Sequence, residues 1–428
     1  MNQDSILSKT RRVAREYSSR VRAFSPNARL YLINVMIIGA VMGVFRLLFN
    51  FYVLSLGFDE ALLGNLITAS SFVALLAALP AGYLADMIGR KSSLVLSGAL
   101  LSASIVAMAL WPGERMFYLM NILSGIAQSL AGVTMSPFLM ENSEESERTY
   151  LFSFGQGLTM TMASVGSWIG GHLPGWIGAA QDTAATSSLA YGNSILIMGV
   201  GAALAIVPLI FIRSVRIPRS QRAVFAPFEY AAKQPGMLAR LILPLLLTSI
   251  GAGLIMPFMN VFFRVVHEQP DPVIGTLFAW GSLAMAIGLL AAPPLAERTG
   301  KIQLVVISQA ISIPFLILLG YSPVFWIGAA SFYIRLALMN MSSPVYQTFV
   351  MEHVEPSARA TVASLSNMAW NFGWAFSPTI SGWLQVKYGF GLPFAGTIAL
   401  YTVAVAMYWA FFWRRTEPVR APSPATTD

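Results

Sequence analysis

The sequence predicts an all-α polytopic membrane protein, with twelve transmembrane helices arranged as two six-helix repeats around a central cavity. Three observations predict it. Of 428 residues, 56% are hydrophobic and 11% charged, whereas a soluble domain carries roughly a quarter charged residues. Apolar runs of the ~20 residues needed to cross a hydrocarbon core recur twelve times along the chain. The two halves of the chain match at a constant offset of 211 residues, without a gap, over long stretches.

The runs fall at 30–56, 62–84, 93–111, 116–140, 150–174 and 190–212, then at 238–264, 273–295, 302–322, 324–350, 359–385 and 391–413. Residues 1–29 form a basic N-terminal segment. The apolar run from Leu30 is too long for the core of a signal peptide. The expected organisation is an N-terminal bundle over 30–213, a linker over 214–237, a C-terminal bundle over 238–413 and a tail over 414–428. The linker carries Arg216, Arg219, Arg222 and Lys233, and Pro218, Pro227 and Pro235 interrupt any long helix. Segments 225–232 and 9–22 suit either the membrane surface or a solvated tether and charge anchor.

Charge distribution orients the chain. With the N-terminus in the cytoplasm, 22 of the 27 lysines and arginines fall in cytoplasmic segments, as the positive-inside rule requires. Arg115, Arg264 and Lys387 are external, and Arg46 and Arg335 lie within helices. The net charge of +8 is therefore a topology signal, and no nucleic-acid partner is expected. The expected location is the bacterial inner membrane, with both termini cytoplasmic.

Catalytic and cofactor chemistry finds no support. Cysteine is absent, which excludes disulfides and thiolate sites. His172, His267 and His353 are far apart and lack zinc-hydrolase spacing, and no GxxxxGK[ST] loop is present. No enzyme, metal or cofactor is expected. Work against a gradient must then draw on another gradient or on a separate subunit.

The repeat keeps charge as well as shape. Gly64, Leu84, Ala85 and Gly89 pair with Gly275, Leu295, Ala296 and Gly300, while Asp86 pairs with Glu297 and Arg90 with Lys301. Phe138, Met140, Glu141, Glu144, Ser146 and Arg148 pair with Phe349, Met351, Glu352, Glu355, Ser357 and Arg359. Gly171 pairs with Gly382. Six helices return the chain to its starting side, so the repeats share one orientation and relate by an axis along the membrane normal.

The loop after the second run reads Gly82-Tyr-Leu84-Ala85-Asp86-Met-Ile-Gly89-Arg90-Lys91-Ser-Ser-Leu94. It resembles the G-x-L-a-D-r-x-G-r-k-x-x-l motif of the major facilitator superfamily, departing at Met87. The resemblance implies a secondary transporter that works by alternating access, as a monomer in the bilayer, on a small-molecule substrate with or without a coupled or exchanged ion. It also implies that Asp86 latches the two halves on the cytoplasmic side. Gly82 is expected to allow close helix approach and Gly89 a tight turn. Asp86 lies within reach of Arg90 and of a helix N-terminus. Glu141 and Arg148 resemble the family's partner acid and base in that latch.

Every acid falls in a loop or at a helix end, so Arg46 and Arg335 have no intramembrane carboxylate to pair with. A cation near the midplane is costly unless it faces water or a partner, and guanidinium suits carboxylate and phosphate. Arg46 and Arg335 are thus candidate ligands for a small organic anion or an anionic amphiphile. The alternative is that they bond to neighbours such as Asn50 or to helix carbonyls. Family members that carry organic phosphates resemble this arrangement, but their second arginine lies in the seventh helix, where this chain has Met256, Pro257 and Asn260. Asn50, Gln128, Asn371 and Trp374 complete the candidate substrate-binding set, and Trp168, Trp280, Trp370 and Asn340 are further lining or packing residues. The runner-up is a proton-coupled multidrug exporter using Asp59 or Asp86. The arginine such exporters carry in the fourth helix is Asn121 here. Their glycine-proline motif survives as Gly166, Gly170 and Gly171 without the proline, which appears instead at Pro378. A transporter-like sensor or assembly factor is the remaining class.

Overall fold

A computed structural model describes residues 24–213, 235–354 and 359–413. The N-terminal segment up to residue 23, the linker up to residue 234 and the tail from residue 414 lie outside the described residues.

All regular structure among the described residues is helical. The first repeat comprises α1 (Pro26–Ser55), α2 (Glu60–Ile88), α3 (Arg90–Leu110), α4 (Glu114–Glu141), α5 (Glu145–Ala180) and α6 (Ser188–Ile210). The second comprises α7 (Pro235–Val265), α8 (Asp271–Thr299), α9 (Lys301–Tyr321), α10 (Phe325–His353), α11 (Arg359–Tyr388) and α12 (Gly391–Phe412). Nine helices among the described residues are long and apolar enough to cross a membrane. The other three, α5, α10 and α11, run to 36, 29 and 30 residues and are long enough but richer in polar side chains.

The reversals have local causes. A single residue, Gly89 with φ 89°, separates α2 from α3, and Gly300 with φ 93° separates α8 from α9. That backbone region is open to glycine and strained for other residues. Asp59 Oδ1 accepts from Leu62 N at 2.9 Å at the start of α2, and Ser187 caps α6 through Ala190 N at 3.2 Å, each satisfying a backbone donor that the helix start leaves free.

Two helices are interrupted. The α6 ladder breaks at Ala205, whose carbonyl accepts from Asn34 Nδ2 at 2.7 Å. In α7, Pro257 falls in a 3₁₀ turn over Met256–Phe258, because proline lacks the N–H and crowds the carbonyl one turn earlier. Polar side chains attend this bent stretch. Thr397 donates to Gly251 O at 2.9 Å and Ser381 donates to Leu254 O, as an environment without water demands.

The chain forms two compact units, one of Met1–Ser55 with Leu76–Pro218, the other of Leu56–Leu75 with Arg219–Asp428. In the first, α1 packs on α5 and α6, and α3 on α4 and α6. In the second, α7 packs on α11 and α12, and α9 on α10 and α12. The pairings are the same six helices apart, as a sequence repeat requires. The cores repeat too: Leu94, Phe138, Leu139 and Leu151 of the first unit sit 211 positions before Val305, Phe349, Val350 and Val362 of the second.

Glycine sets the closest helix contacts. A Cβ on Gly43 would lie 2.3 Å from Ala163 O, and one on Gly166 only 2.1 Å from Ala40 O, so α1 and α5 meet backbone to backbone. In the second unit, a Cβ on Gly64 near the start of α2 would lie 2.2 Å from Pro378 O, and one on Gly382 2.2 Å from Glu60 O.

Candidate functional site

The basic end of the first unit holds the expected latch residues together. Arg90 opens α3, and its Nη1 donates to Asp86 Oδ1 at 2.6 Å while its Nε donates to Glu141 Oε1 at 3.1 Å. One guanidinium thus bridges the end of α2 and the end of α4. In the second unit, Lys301 at the start of α9 pairs with Glu352 near the end of α10. The turn at Gly89 is what brings Arg90 back over Asp86. Gly82 departs from expectation. A Cβ there would have nothing within 4 Å among the described residues, so these make no close helix approach at this position. Its neighbour Ala81 does the packing, in a small cluster with Ala85 and Leu130. Arg148 belongs to α5, and its side chain lies outside the described residues.

Arg46 lies nine residues from the far end of α1, about 14 Å at 1.5 Å per residue. Its side chain is exposed, while Leu47, Leu48, Phe49 and Asn50 beside it are buried. The ring of Phe45 stacks on Phe49 at 5.0 Å and Phe49 meets Phe117 edge-on at 6.1 Å, fixing this stretch of α1 against α4. Gln128 on α4 is exposed and donates to Ser124 Oγ at 3.2 Å.

Arg335 lies ten residues into α10, about 15 Å from its end, and is 2% exposed. Nη2 donates to the Tyr401 hydroxyl on α12 at 3.1 Å, and the guanidinium carbon stands 5.4 Å from that ring's centroid. Nη1 points to the sulfur of Met256, at the 3₁₀ turn of α7, at 3.8 Å. Nε has no partner among the described residues. A buried cation thus links three helices of the second unit at the break in α7. Both arginines lie on the far side of their helix centres, because α1 and α10 run further at the basic end than the apolar runs foretold.

On α11, Asn371 is exposed and Trp374 half-buried, with its indole N–H unpartnered among the described residues. Trp370, four residues before Trp374, is exposed and its carbonyl accepts from Ser249 Oγ. Asn340 donates to Leu336 O at 2.8 Å on its own helix α10. Trp280 and Trp168 are exposed, and Trp168 lies 4.7 Å from the ring of His172 one turn on. Asn121, where drug exporters carry arginine, is buried and donates to Phe117 O at 2.9 Å.

Sequence reasoning missed Tyr401 and Met256 as partners of Arg335, since neither is near it in sequence. A tyrosine at the middle of α12 was the available signal. Asn367 also escaped notice; it lies one turn before Asn371, and both are exposed.

The arrangement is that of a carrier: paired charges at one helix end, glycine-tight helix contacts, and a cation exposed part-way along a helix. The chain matches the model of the Major Facilitator Superfamily over residues 31–378 and 245–427. No curated protein sequence matches it. Among solved structures it is similar to the nucleoside transporter NupG, with a TM-score of 0.73 at 14% identity over 90% of this chain and 98% of that one. It is also similar to a bacterial homologue of the human lysosomal transporter Spinster, with a TM-score of 0.74 at 14% identity, covering 92% and 96%. A D-xylose–proton symporter aligns with a TM-score of 0.69 at 15% identity, covering 90% and 97%. The chain belongs to the Major Facilitator Superfamily and is a secondary transporter of the alternating-access type.

Proposed function

We propose that the protein carries a small organic anion or an anionic amphiphile, with Arg46 as the cation that meets it. The observation that carries this reading is the exposure of Arg46 among buried neighbours of α1, in a chain whose acids all lie in loops or at helix ends. A guanidinium at that depth needs water or a counterion, and its planar fork matches a carboxylate or phosphate with two parallel hydrogen bonds. Arg335 is the second cation of the proposed site. Its charge is buried beside Tyr401, with no partner for Nε among the described residues, so it contributes positive potential within the second unit. Asn50, Gln128, Asn371 and Trp374 are the proposed polar lining. The solved structures of similar fold include a nucleoside transporter and a D-xylose–proton symporter, so the cargo of this chain is read from its own residues.

Asp86, Gly89, Arg90, Glu141 and Arg148 form the proposed cytoplasmic latch, with Gly82 at its margin. The protein is proposed to reside in the bacterial inner membrane as a monomer, both termini cytoplasmic, and to perform no catalysis. Without an acid in a helix interior, coupling falls to exchange, to uniport, or to a proton carried on the cargo. A thermal-shift screen of purified protein against organic anions, phosphate esters, lysolipids and lipophilic cations tests the reading, because a ligand of the folded state raises its melting temperature. Anions are expected to stabilise the protein, and Arg46→Gln to weaken the effect. Stabilisation by lipophilic cations alone would overturn the reading in favour of drug export.

A further inference from the structure

We infer that a polar strip of α11, formed by Asn367, Trp370, Asn371 and Trp374, binds a planar, hydrogen-bonding ring of the cargo, which narrows the class from organic anion to aromatic anion. The inference rests on the transporter reading above and adds a ring-selective subsite to it.

The packing of α11 isolates this strip. One flank, Gly373, Ser377 and Ser381, is buried, with Gly373 against Ser249 and Ile250 and Ser377 against Gly253 of α7. Another flank, Pro378, Thr379 and Gly382, meets the outer stretch of α2, where Thr379 N donates to Thr68 Oγ1 at 3.2 Å. Two exposed strips remain. Phe372, Phe376, Ile380 and Trp383, spaced i, i+4, i+8 and i+11, are apolar throughout and between 40% and 53% exposed. Exposed Asn367 and Asn371 form the other, continued by the half-buried Trp374 at spacings i, i+4 and i+7, with exposed Trp370 beside them. Helical periodicity puts each set on one side of the helix. The apolar strip suits lipid. A carboxamide held against hydrocarbon would leave its donors and acceptors unpaired, so the strip with two asparagines faces water.

Chemistry then sets the ligand. Asn371 and Trp374 flank the midpoint of the 30-residue helix. The indole N–H of Trp374 is buried and has no acceptor among the described residues, a state that native proteins keep rarely and usually for a reason. It is a donor awaiting an acceptor. The two carboxamides each offer both donors and an acceptor, and Trp370, 39% exposed, offers an indole face for stacking. A donor, two amides and a stacking surface together fit a planar heteroaromatic ring with an acceptor in its edge.

Binding of three carboxylates to the purified full-length protein tests this: nicotinate, benzoate and cyclohexanecarboxylate, which share a charge but differ in ring acceptor and planarity. The expected order is nicotinate tightest and cyclohexanecarboxylate weakest, with nicotinate favoured over benzoate by roughly tenfold, the worth of one hydrogen bond. Trp374→Phe should bring the nicotinate-to-benzoate ratio to about one, and Asn367→Ala, an exposed position, should reduce it without disturbing folding. Arg46→Gln should weaken all three in parallel and leave the ratio intact. Equal binding of the three by the wild-type protein, or an unchanged ratio in Trp374→Phe, would overturn the subsite while leaving the anion reading standing. Neutral nicotinamide binding as tightly as nicotinate, and indifferent to Arg46→Gln, would overturn the anion reading while the Trp374-dependent ratio survived.

Discussion

Arg90 donates its Nε–H to Glu141 across 3.1 Å, and 211 positions later Lys301 and Glu352 form the same ion pair in the second unit. The pair is half-buried in the first unit and more open in the second, with side-chain exposures of 21% and 16% against 37% and 51%. Exposed ion pairs contribute from nothing to about 1 kcal/mol. Glu141→Gln should therefore lower the melting temperature measurably, by the equivalent of about 1 kcal/mol, and Glu352→Gln by less. Thermal melts of the two variants in one detergent compare them directly.

Gly166 and Gly82 should respond in opposite ways to the same substitution. Alanine at Gly166 places a methyl 2.1 Å from the Ala40 carbonyl, which forces α1 and α5 apart, and overpacking of this kind costs about 1–3 kcal/mol or more. Gly82→Ala meets nothing within 4 Å among the described residues and should leave the melting temperature unchanged or slightly raised. Any effect of Gly82→Ala on transport would then be conformational.

Tyr401 and Arg335 should show strong coupling in a double-mutant cycle. Tyr401→Phe removes the acceptor from a buried guanidinium, and loss of a bond to a charged group costs about 1.5–3 kcal/mol. Replacing the buried cation itself by a long apolar side chain can be neutral or stabilising. The double variant Arg335→Met with Tyr401→Phe should therefore melt above Tyr401→Phe alone. Melting temperatures of the wild-type protein, the two single variants and the double one give the coupling.

His267, in the loop between α7 and α8, should make the protein less stable in acid. Its ring packs against Phe262 and Phe263 at 5.3 and 5.6 Å and against Phe325 at 6.0 Å. Burial pushes the imidazole below its usual 6.5. In the unfolded chain it takes up a proton as pH falls through 6.5, and in the folded protein only at lower pH. Between those values the unfolded state binds more protons, so stability falls as pH drops and is regained above 6.5. The nearby charged residues in sequence are Glu268 in the loop, Arg264 at the end of α7 and Asp271 at the start of α8. His267→Phe should flatten the melting temperature between pH 5 and 7, within the window set by the ordinary value of 6.5.

Much of the fold was legible because its causes are local or periodic. Apolar runs of membrane length fix the number of helices, and the 211-residue repeat fixes their grouping. Boundaries were less so: α5 extends over Glu145–Ala180, beyond the run 150–174, because a helix continues past the hydrocarbon wherever no breaker stops it. Both helix breaks had a visible signal: Pro257 in α7, and in α6 Pro208, which lacks the N–H that would bond the Leu204 carbonyl beside Ala205. Asp86 and Arg90 could be paired from their i, i+4 spacing. The Arg335–Tyr401 bond and the open space at Gly82 depend on which helices meet, which spacing along one chain does not encode.

Transport itself tests the central claim most directly. Purified protein in proteoliposomes, loaded with the anion that stabilises it most, should show saturable counterflow of the labelled anion, and Arg46→Gln protein that still folds should show none. Counterflow undiminished in Arg46→Gln, or tight binding of the anion with no flux at all, would contradict an anion carrier built on Arg46.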